Sequence, residues 1–408
     1  MEIKKAVLFS KDLSGVGGGE RLLFGFAKYL KEKGIETTIL TFSFDKNKTF
    51  EGIAGDIEVV CLGSYSNKNS FFKKIFLEIP NIFRLAWQLR KIYPQIIITD
   101  GASNASTLYF STLFSDIKYI VHIYETEFWF GNPDDTVKYA SAYKKVFDEI
   151  RNSVIGHKEF IPANPPQMGF FKEIANNLVA DIKNKALTKA SLIFTLSKQM
   201  AWEVKKMYGK DAIVAKGAFP KELLQYKARK DIKSTLGIEN KKMILSVSRL
   251  IRKKRIDLLI KSFSLIKDDQ AVLVVGGSGP EEINLKNLST SLGINEKVIF
   301  TGRIDEKDMY DYFASCDVFA YPDHADFGIT PYEALALKKN VVWTSENEID
   351  DYLKTNKRIF SADPNPSDFS KALELALCNK IDDNFDMSDY CWDRYFSKIY
   401  SAIELCLK

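Results

Sequence analysis

The chain has 408 residues, of which 46% are hydrophobic and 27% are charged, and its formal net charge is +5. This length exceeds what one ordinary core covers, so we expect a globular protein of two domains. The small positive charge excludes neither an anionic substrate nor a membrane surface, but by itself it does not indicate nucleic-acid binding.

Three features of the composition indicate the compartment. The five cysteines are scattered and lack metal-ligand spacing, which is typical of buried thiols in a reducing environment. No apolar run approaches the ~20 residues of a membrane span. The first apolar run has no signal-peptide pattern before it. We therefore expect a cytoplasmic protein.

Short apolar runs alternate with amphipathic stretches, which is typical of β-α units around a parallel sheet. A helix is predicted over Glu20–Lys33, with Gly34 as its stop. Predicted strands of the first half are Ala6–Ser10, Thr37–Phe42, Ile96–Asp100, Tyr119–Ile123, Leu192–Leu196 and Ile213–Lys216. Those of the second half are Lys242–Ser248, Ala271–Gly276, Val298–Thr301, Val318–Tyr321 and Val341–Thr344.

These two series predict two α/β halves with a cleft between them. We place the first domain at residues 1–218, a polar linker at 219–240 and the second domain at 241–385. The least regular segment, Gly131–Val179, contains several proline turns and is predicted to be an insertion near the cleft.

Several polar loops follow predicted strands, at the edge where open α/β sheets bind ligands. Gly15–Arg21 is glycine-rich and opens a helix, which favours close approach of a phosphate or sugar, although a structural turn is also common. Ser248–Asp257 holds five cations that suit a diphosphate, with a solvated face as the alternative. In Asp326–Leu337, Glu333 lies near a helix start, where the helix dipole favours a carboxylate.

Taken in order, five motifs resemble glycosyltransferase family 4 over nearly the whole chain. They are Gly17-Gly18-x-Glu20-Arg21, Arg249 with Lys254 and Asp257, Gly276-x-x-Gly279-Pro280, Val298-x-Phe300-x-Gly302, and Phe327-Gly328 through Glu333-Ala334. The resemblance implies a GT-B fold, in which two Rossmann-like domains face each other and the second binds a nucleotide sugar. It also implies that residues 386–408 form a helix that returns to the acceptor-side N-terminal domain.

The resemblance implies a role for each matching residue. The donor diphosphate would be bound by Arg249, Lys254, Gly17 and Gly18, and the donor sugar and phosphate by the loop Phe327, Gly328, Ile329 and Thr330. Glu333 would bind the ribose, while Gly277 and Arg303 would frame the nucleobase. His122, at a strand end, is predicted to be catalytic together with Asp326, with a structural histidine as the alternative.

One position departs from the family pattern of Glu, seven residues, Glu, because the first Glu falls on Ala325. Members of the family retain anomeric configuration, and an alanine excludes a covalent intermediate at this position, leaving front-face transfer. Asp326 is predicted to compensate. Because the chain has no Asp-x-Asp, we predict that Arg249 and Lys254 replace a divalent metal. No metal or cofactor is expected.

The predicted activity is transfer of a hexose from a GDP- or UDP-linked donor to a hydroxyl of a glycan or lipid-linked acceptor. The Asp-Phe-Gly-Ile loop (326–329) looks like a subset that contains mannosyltransferases. Two alternatives remain: a non-catalytic nucleotide-sugar-binding protein, suggested by Ala325, and a sugar-nucleotide epimerase.

A last feature of the sequence is the stretch Asn67–Gln95, which has a net charge of +5 and interleaved aromatic residues. It is predicted either to contact an anionic membrane or to pack on the first sheet, with Pro80 breaking its helix.

Overall fold

The structure is a computed structural model and describes residues 3–14, 18–45, 57–63, 65, 71–124, 170–323, 327–381 and 384–407. The strands of the first half are β1 Lys5–Ser10, β2 Glu36–Thr41, β3 Glu58–Cys61, β4 Ile96–Asp100, β5 Lys118–Ile123, β6 Leu192–Thr195 and β7 Ile213–Val214. Those of the second half are β8 Lys242–Val247, β9 Ala271–Gly276, β10 Val298–Gly302, β11 Val318–Tyr321, β12 Asn340–Thr344 and β13 Ile359–Ala362.

Helices connect these strands and cover both sheets. In the first half they are α1 Gly18–Glu32, α2 Phe71–Ile92, α3 Gly101–Ser111, α4 Phe170–Lys189 and α5 Lys198–Tyr208. In the second half they are α6 Ile232–Thr235, α7 Ile256–Phe263, α8 Glu282–Ser291, α9 Glu306–Ser315, α10 Ile329–Ala336, α11 Pro366–Cys378 and α12 Trp392–Leu407. None of the helices that the structure describes is long and apolar enough to cross a bilayer.

Each half contains one parallel sheet, with strand orders β3-β2-β1-β4-β5-β6-β7 and β10-β9-β8-β11-β12-β13. The order reverses between β1 and β4 and again between β8 and β11. Such reversals open a crevice beyond the carboxyl ends of the strands, where ligands bind. The prediction of two Rossmann-like domains is therefore confirmed. The reversals in strand order indicate where a ligand-binding site is expected.

Burial on both faces explains why the strands read as continuous apolar runs. In β1, Val7, Leu8 and Phe9 are fully buried and alternate between the two core layers of the first sheet. In β9, Leu273, Val274 and Val275 do the same in the second sheet. Full burial of one such side chain stabilises the fold by about 1.5–3 kcal/mol.

The C-terminal helix α12 packs on the first sheet, as predicted. Its residues Tyr395, Phe396 and Ile399 are buried in the layer that α1 also covers. Helix α1 approaches closely at Gly25, where a Cβ would lie 2.9 Å from the ring of Phe396. A larger residue at Gly25 would separate the two helices.

The structure bears on three predictions. Most residues of 219–240, predicted to be a polar linker, are exposed, but Phe219, Leu223 and Ile232 are buried in the core of the second half. Pro80 does not end a helix, since α2 continues through it. Of the predicted insertion Gly131–Val179, residues 170–179 belong to α4 and the rest lie outside the described residues.

Two strands were missed by the sequence reading. β3 and β13 are four-residue strands at sheet edges, and both are only partly buried. A short edge strand lacks the continuous apolar run that marks the central strands.

Candidate functional site

The loops that follow β8 and β9 form one braced unit at the carboxyl edge of the second sheet. Gly277 has φ 130°, and a Cβ there would overlap the carbonyl oxygen of Ser248. A Cβ at Gly279 would likewise overlap the carbonyl oxygen of Leu250. The absence of a side chain at these glycines therefore lets the backbones of the two loops touch. This contact places the Arg249 loop against the turn predicted to frame the nucleobase.

Two cations of this edge remain available to an anion. Arg249 and Arg303 are both exposed, and neither guanidinium has an ion-pair partner among the described residues. Arginine binds phosphate oxygens through paired N–H donors. The structure thus gives both predicted residues the freedom that ligand binding requires, while their roles stay predictions.

Lys254 is differently placed, because its ammonium forms an ion pair with Asp323. Asp323 lies two residues after the end of β11 and only 1% of its surface is exposed. The hydroxyl of Tyr321 lies 3.3 Å from Asp323 Oδ2, and the Asp323 carbonyl accepts a hydrogen bond from Asn347 Nδ2 at 2.9 Å. The ammonium predicted to bind the diphosphate is therefore held by a fixed, buried carboxylate.

Sequence reasoning missed Asp323 as a site residue. The available signal was an acidic side chain shortly after a buried strand, next to the segment that holds Ala325. Asp326, Ala325 and Gly17 lie outside the described residues, so the predictions made for Asp326 and Gly17 are unchanged.

Arg255 also differs from its sequence interpretation as an extra cation for the ligand. Its backbone is left-handed, with φ 47°, and its side chain is buried against Glu346. Arg255 makes two contacts to Glu346. The shorter joins Nη1 to Oε2, and the second joins Nη2 to Oε1 at 3.4 Å. The charge of Arg255 is thus largely offset within the protein, and this turn is less basic than the sequence indicates.

Glu333 lies in the second turn of α10 and is buried at the cleft between the two halves. Arg21 of α1 reaches it across the cleft, with Nη1 3.3 Å from Glu333 Oε1, and also contacts Glu306. The hydroxyl of Tyr310 donates to the same Glu333 oxygen at 3.4 Å. Burial raises the pKa of Glu333, whereas the Arg21 guanidinium opposes that rise.

The start of α10 faces the start of α1. A Cβ on Gly18 would lie 3.3 Å from Cδ1 of Ile329, so the two helix starts approach closely. Thr330 follows in the first turn of α10, where backbone amides lack intrahelical partners. An anion between the halves would meet the positive ends of two helices.

Phe327 and Gly328, the two residues before α10, are closely packed and hold the start of α10 near the start of α1. Phe327 packs on Tyr332 with ring centroids 4.8 Å apart and the rings tilted by 36°, and it contacts the cores of both halves. A Cβ at Gly328 would overlap the Tyr321 hydroxyl. The predicted sugar loop is therefore packed at its Phe327 end.

His122 lies among aromatic side chains at the end of β5. The Tyr395 hydroxyl is 3.1 Å from its Nδ1 and 3.0 Å from its Nε2, and the Tyr124 ring lies 4.3 Å away between centroids. Burial lowers the pKa of His122 to about 3. The ring is thus neutral near pH 7 and is held by α12, and its predicted catalytic role stays a prediction.

Within the part of the chain that the structure describes, no group of three or more His, Cys, Asp or Glu side chains is arranged to hold a metal ion. Metal independence itself stays a prediction, and so does the role of Glu333 toward a ribose. What the geometry provides is a close approach of the starts of α1 and α10, and a carboxyl edge of the second sheet whose loops carry Arg249, Arg303 and the Lys254–Asp323 pair.

Comparison with known proteins gives two family matches that together span both halves. The Glycosyltransferase Family 4 profile matches residues 16–215, and the Glycosyl transferases group 1 profile matches residues 228–390. Solved structures agree in fold: a glycosyltransferase from Rickettsia africae has a TM-score of 0.71 at 16% identity, with both chains covered completely. An Anabaena protein in complex with UDP has a TM-score of 0.67 at 16% identity, covering 99% of this chain and 100% of its own.

Curated relatives match mostly in part. An uncharacterised glycosyltransferase of Methanocaldococcus jannaschii is 29% identical over 40% of this chain and 44% of its own length. A GDP-mannose-dependent α-(1-6)-phosphatidylinositol monomannoside mannosyltransferase of Mycolicibacterium smegmatis is 32% identical over 23% of this chain and 25% of its own. An α-1,3/1,6-mannosyltransferase of Dictyostelium discoideum is 22% identical over 90% of this chain and 88% of its own length.

The chain thus spans less than half the length of the first relatives it matches. The two family matches nevertheless cover both sheets, the sequence motifs fall on the loops at the cleft, and the fold is that of GT-B glycosyltransferases. The chain belongs to glycosyltransferase family 4.

Proposed function

We propose that this protein is a retaining glycosyltransferase that moves a hexose from a nucleoside diphosphate sugar to a hydroxyl of a glycan or lipid-linked acceptor. The observation that carries the proposal is the cation set at the carboxyl edge of the second sheet, together with the close approach of Gly18 to the start of α10. Arg249 has no ion-pair partner among the described residues, Lys254 is held in place by Asp323, and a Cβ on Gly18 would lie 3.3 Å from Ile329 in the first turn of α10.

The chemistry follows from charge. Breaking the bond from sugar to phosphate leaves negative charge on the diphosphate, and fixed donors aimed at that charge lower the barrier. Arg249 can grip two oxygens, whereas Lys254 supplies a point charge. These cations perform the task that a divalent metal performs elsewhere, so we propose metal-independent transfer. A chelator is expected to leave turnover unchanged, and loss of activity restored by Mg²⁺ would contradict this part.

Retention of the anomeric configuration is proposed because the chain belongs to the family. Front-face transfer is proposed because Ala325, at the usual first Glu position, supplies no nucleophile. In that mechanism a phosphate oxygen of the donor accepts the proton of the acceptor hydroxyl. Asp326 is proposed to orient the sugar or acceptor in place of the missing Glu, and Glu333 to accept hydrogen bonds from the ribose. Ribose binding would have to share Glu333 with Arg21, since both reach the same buried carboxylate.

The donor is proposed to be GDP- or UDP-linked, with mannose as the favoured sugar. The Asp-Phe-Gly-Ile loop and the names of the mannosyltransferase relatives support mannose, whereas the UDP complex of the Anabaena neighbour supports UDP. We also propose a cytoplasmic protein that acts at the inner face of a membrane, since lipid-linked acceptors lie there. Thermal-shift measurement with GDP-, UDP- and ADP-sugars distinguishes the bases, because stabilisation follows affinity.

The decisive test is substitution of the two proposed phosphate-binding cations. Arg249→Ala and Lys254→Ala should each weaken donor binding about 10- to 100-fold, since a hydrogen bond to a charged group contributes about 1.5–3 kcal/mol. Donor dissociation constants and transfer rates are the measurements. Lys297→Ala is the matched control, because the Lys297 side chain is 42% exposed and its ammonium pairs with the surface carboxylate Asp269 at 2.8 Å.

Equal donor binding in Arg249→Ala, Lys254→Ala and Lys297→Ala would contradict the phosphate assignment. Ala325 supports one alternative, which is a protein that binds a nucleotide sugar without turnover. Tight binding with no transfer or hydrolysis would favour it. Interconversion of the donor sugar without an acceptor would instead identify an epimerase.

A further inference from the structure

Helix α2 carries a row of large apolar side chains that remain exposed in the part of the chain that the structure describes. Ile79, Phe83 and Trp87 are spaced four residues apart, so they lie along one side of the helix. They are 52%, 71% and 65% exposed. The opposite side of the helix carries Leu85 and Leu89, which are fully buried in the core of the first half. Packing on the sheet therefore accounts for one side of α2 only.

The end of α3 continues this surface. The Ser111 hydroxyl of α3 contacts the Ile82 carbonyl of α2 at 3.2 Å, so the two helices lie side by side at this level. Phe110, Leu113 and Phe114 follow at the α3 end, and they are 37%, 41% and 88% exposed. We call the six residues Ile79, Phe83, Trp87, Phe110, Leu113 and Phe114 the apolar face. Contiguous exposed apolar patches of this kind mark interaction sites.

The charges that border the apolar face on α2 have one sign. Arg84, Arg90 and Lys91 are exposed, and Lys91 Nζ lies 5.8 Å from the Trp87 ring centroid. The single carboxylate of α2 is Glu78, which is occupied by an ion pair with Lys11 at 2.5 Å. Soluble surfaces usually mix both signs, whereas apolar residues bordered by cations, as on α2, suit an interface with anionic lipid; the α3 end adds one exposed carboxylate, Asp116, two residues after Phe114.

From these observations we infer that α2 and the end of α3 dock the protein on an anionic lipid bilayer. Phe83, Trp87 and Phe114 would enter the boundary between headgroups and acyl chains, and Arg84, Arg90 and Lys91 would contact lipid phosphates. Tryptophan and long cationic side chains are the residues that prefer this depth. The inference rests on the proposed function in that docking would bring the cleft to a lipid-linked acceptor.

Vesicle co-sedimentation of the full chain tests the docking. Wild type should bind phosphatidylcholine vesicles containing phosphatidylglycerol at least about tenfold more tightly than pure phosphatidylcholine, and added salt should weaken the binding. The double variant Phe83→Ser/Trp87→Ser and the triple variant Arg84→Gln/Arg90→Gln/Lys91→Gln should each lose at least about tenfold. Ile283→Ser is the matched control, since Ile283 is 72% exposed on α8 of the other half.

Several outcomes would overturn the inference. They are absence of vesicle binding by wild type, unchanged binding in both α2 variants, and equal loss in Ile283→Ser. A dimer in solution that Phe83→Ser/Trp87→Ser dissociates would instead assign the apolar face to a second copy of the chain. Thermal shift with the donor separates this test from the proposed function, because the α2 variants should bind donor as wild type does. Absence of donor binding by wild type would contradict the proposed function without changing the conclusion from the vesicle measurement.

Discussion

At the scale of single residues, the candidate site depends on which charges are already paired. Lys254 and Arg255 are neighbours in a basic run, yet Lys254 pairs with Asp323 near the ligand crevice and Arg255 with Glu346 inside the protein. Arg249, a few residues earlier, has no such partner among the residues that the structure describes. Of the five cations in Ser248–Asp257, Arg255 is therefore offset inside the protein, while the roles of Arg249 and Lys254 toward a ligand stay predictions.

His122 shows how packing changes the meaning of a titratable residue. Its ring is buried against Tyr395 of the C-terminal helix, and burial lowers its pKa to about 3. An unfolded chain binds a proton on histidine below about pH 6.5, whereas the native ring stays neutral to much lower pH. Unfolding therefore takes up a proton in this window, so His122 makes the native state less stable as the pH falls through it.

We predict that the His122 imidazole remains neutral between about pH 5 and 8. Nitrogen NMR of the ring measures this directly, and the resonances are assigned by their loss in His122→Gln. Titration near the ordinary histidine pKa would contradict the burial and would revive a role as a general acid near neutral pH.

At the scale of elements, the turn between β8 and α7 is shaped by an unusual residue. Arg255 adopts φ 47°, a conformation that glycine tolerates and arginine rarely adopts. Its side chain pairs with Glu346, which follows β12 on the other side of β11 in the sheet order. The ion pair thus ties two loops of the candidate site together while the backbone stays strained.

We predict that Arg255→Gly lowers the free energy of unfolding by about 3 kcal/mol, although it removes the strain. The reason is that Glu346 would remain buried without its cation, and breaking a buried pair costs about 3–5 kcal/mol. Denaturant unfolding measures the change, and adding Glu346→Gln to Arg255→Gly should recover part of it.

Lys338→Gly is the matched control for this prediction. Lys338 has φ 59°, and its ammonium makes an exposed contact to Asn384 at 3.3 Å. Relief of strain without loss of a buried pair should leave this variant as stable as wild type or slightly more stable. If Arg255→Gly behaved in the same way, the Glu346 pair would not hold the turn.

At the scale of the whole molecule, the two halves meet through polar contacts and through the apolar contact of Phe327 with both cores. Arg21 joins Glu333 and Glu306, while Lys216 lies 3.3 Å from Asp350. Glu348 of the second half accepts a hydrogen bond of 3.0 Å from the Lys198 amide at the start of α5. A ligand in the cleft would therefore act on the same residues that hold the halves together.

We predict an energetic coupling of about 2 kcal/mol between Arg21 and Glu333, because Glu333 is buried and loses its cation when Arg21 is replaced. A double-mutant cycle with Arg21→Met and Glu333→Gln, followed by denaturant unfolding, measures it. The control cycle uses Lys205 and Asp211, an exposed pair within the first half at 2.9 Å, where about 0.2–1 kcal/mol is expected. Equal coupling in the two cycles would mean that Arg21 does not join the halves.

Much of this protein was determined by its sequence alone. The central strands, such as Ile96–Asp100, Ala271–Gly276 and Val318–Tyr321, were predicted with the bounds that the structure has, because a strand buried on both faces needs a continuous apolar run. The family order of the glycine and cation motifs led to the GT-B fold and to the C-terminal helix that returns to the first half.

Tertiary structure decided what depends on contacts between residues distant in the chain. Only folding brings Asp323 to Lys254, Glu346 to Arg255, Arg21 to Glu333 and Tyr395 to His122, across separations of 69 to 312 residues. It likewise decided that Phe219, Leu223 and Ile232 are buried within the otherwise largely exposed segment 219–240, and that one side of α2 faces outward. Local patterns predict elements because helix and strand periodicities are short-range, whereas charge pairing and exposure depend on which elements pack together.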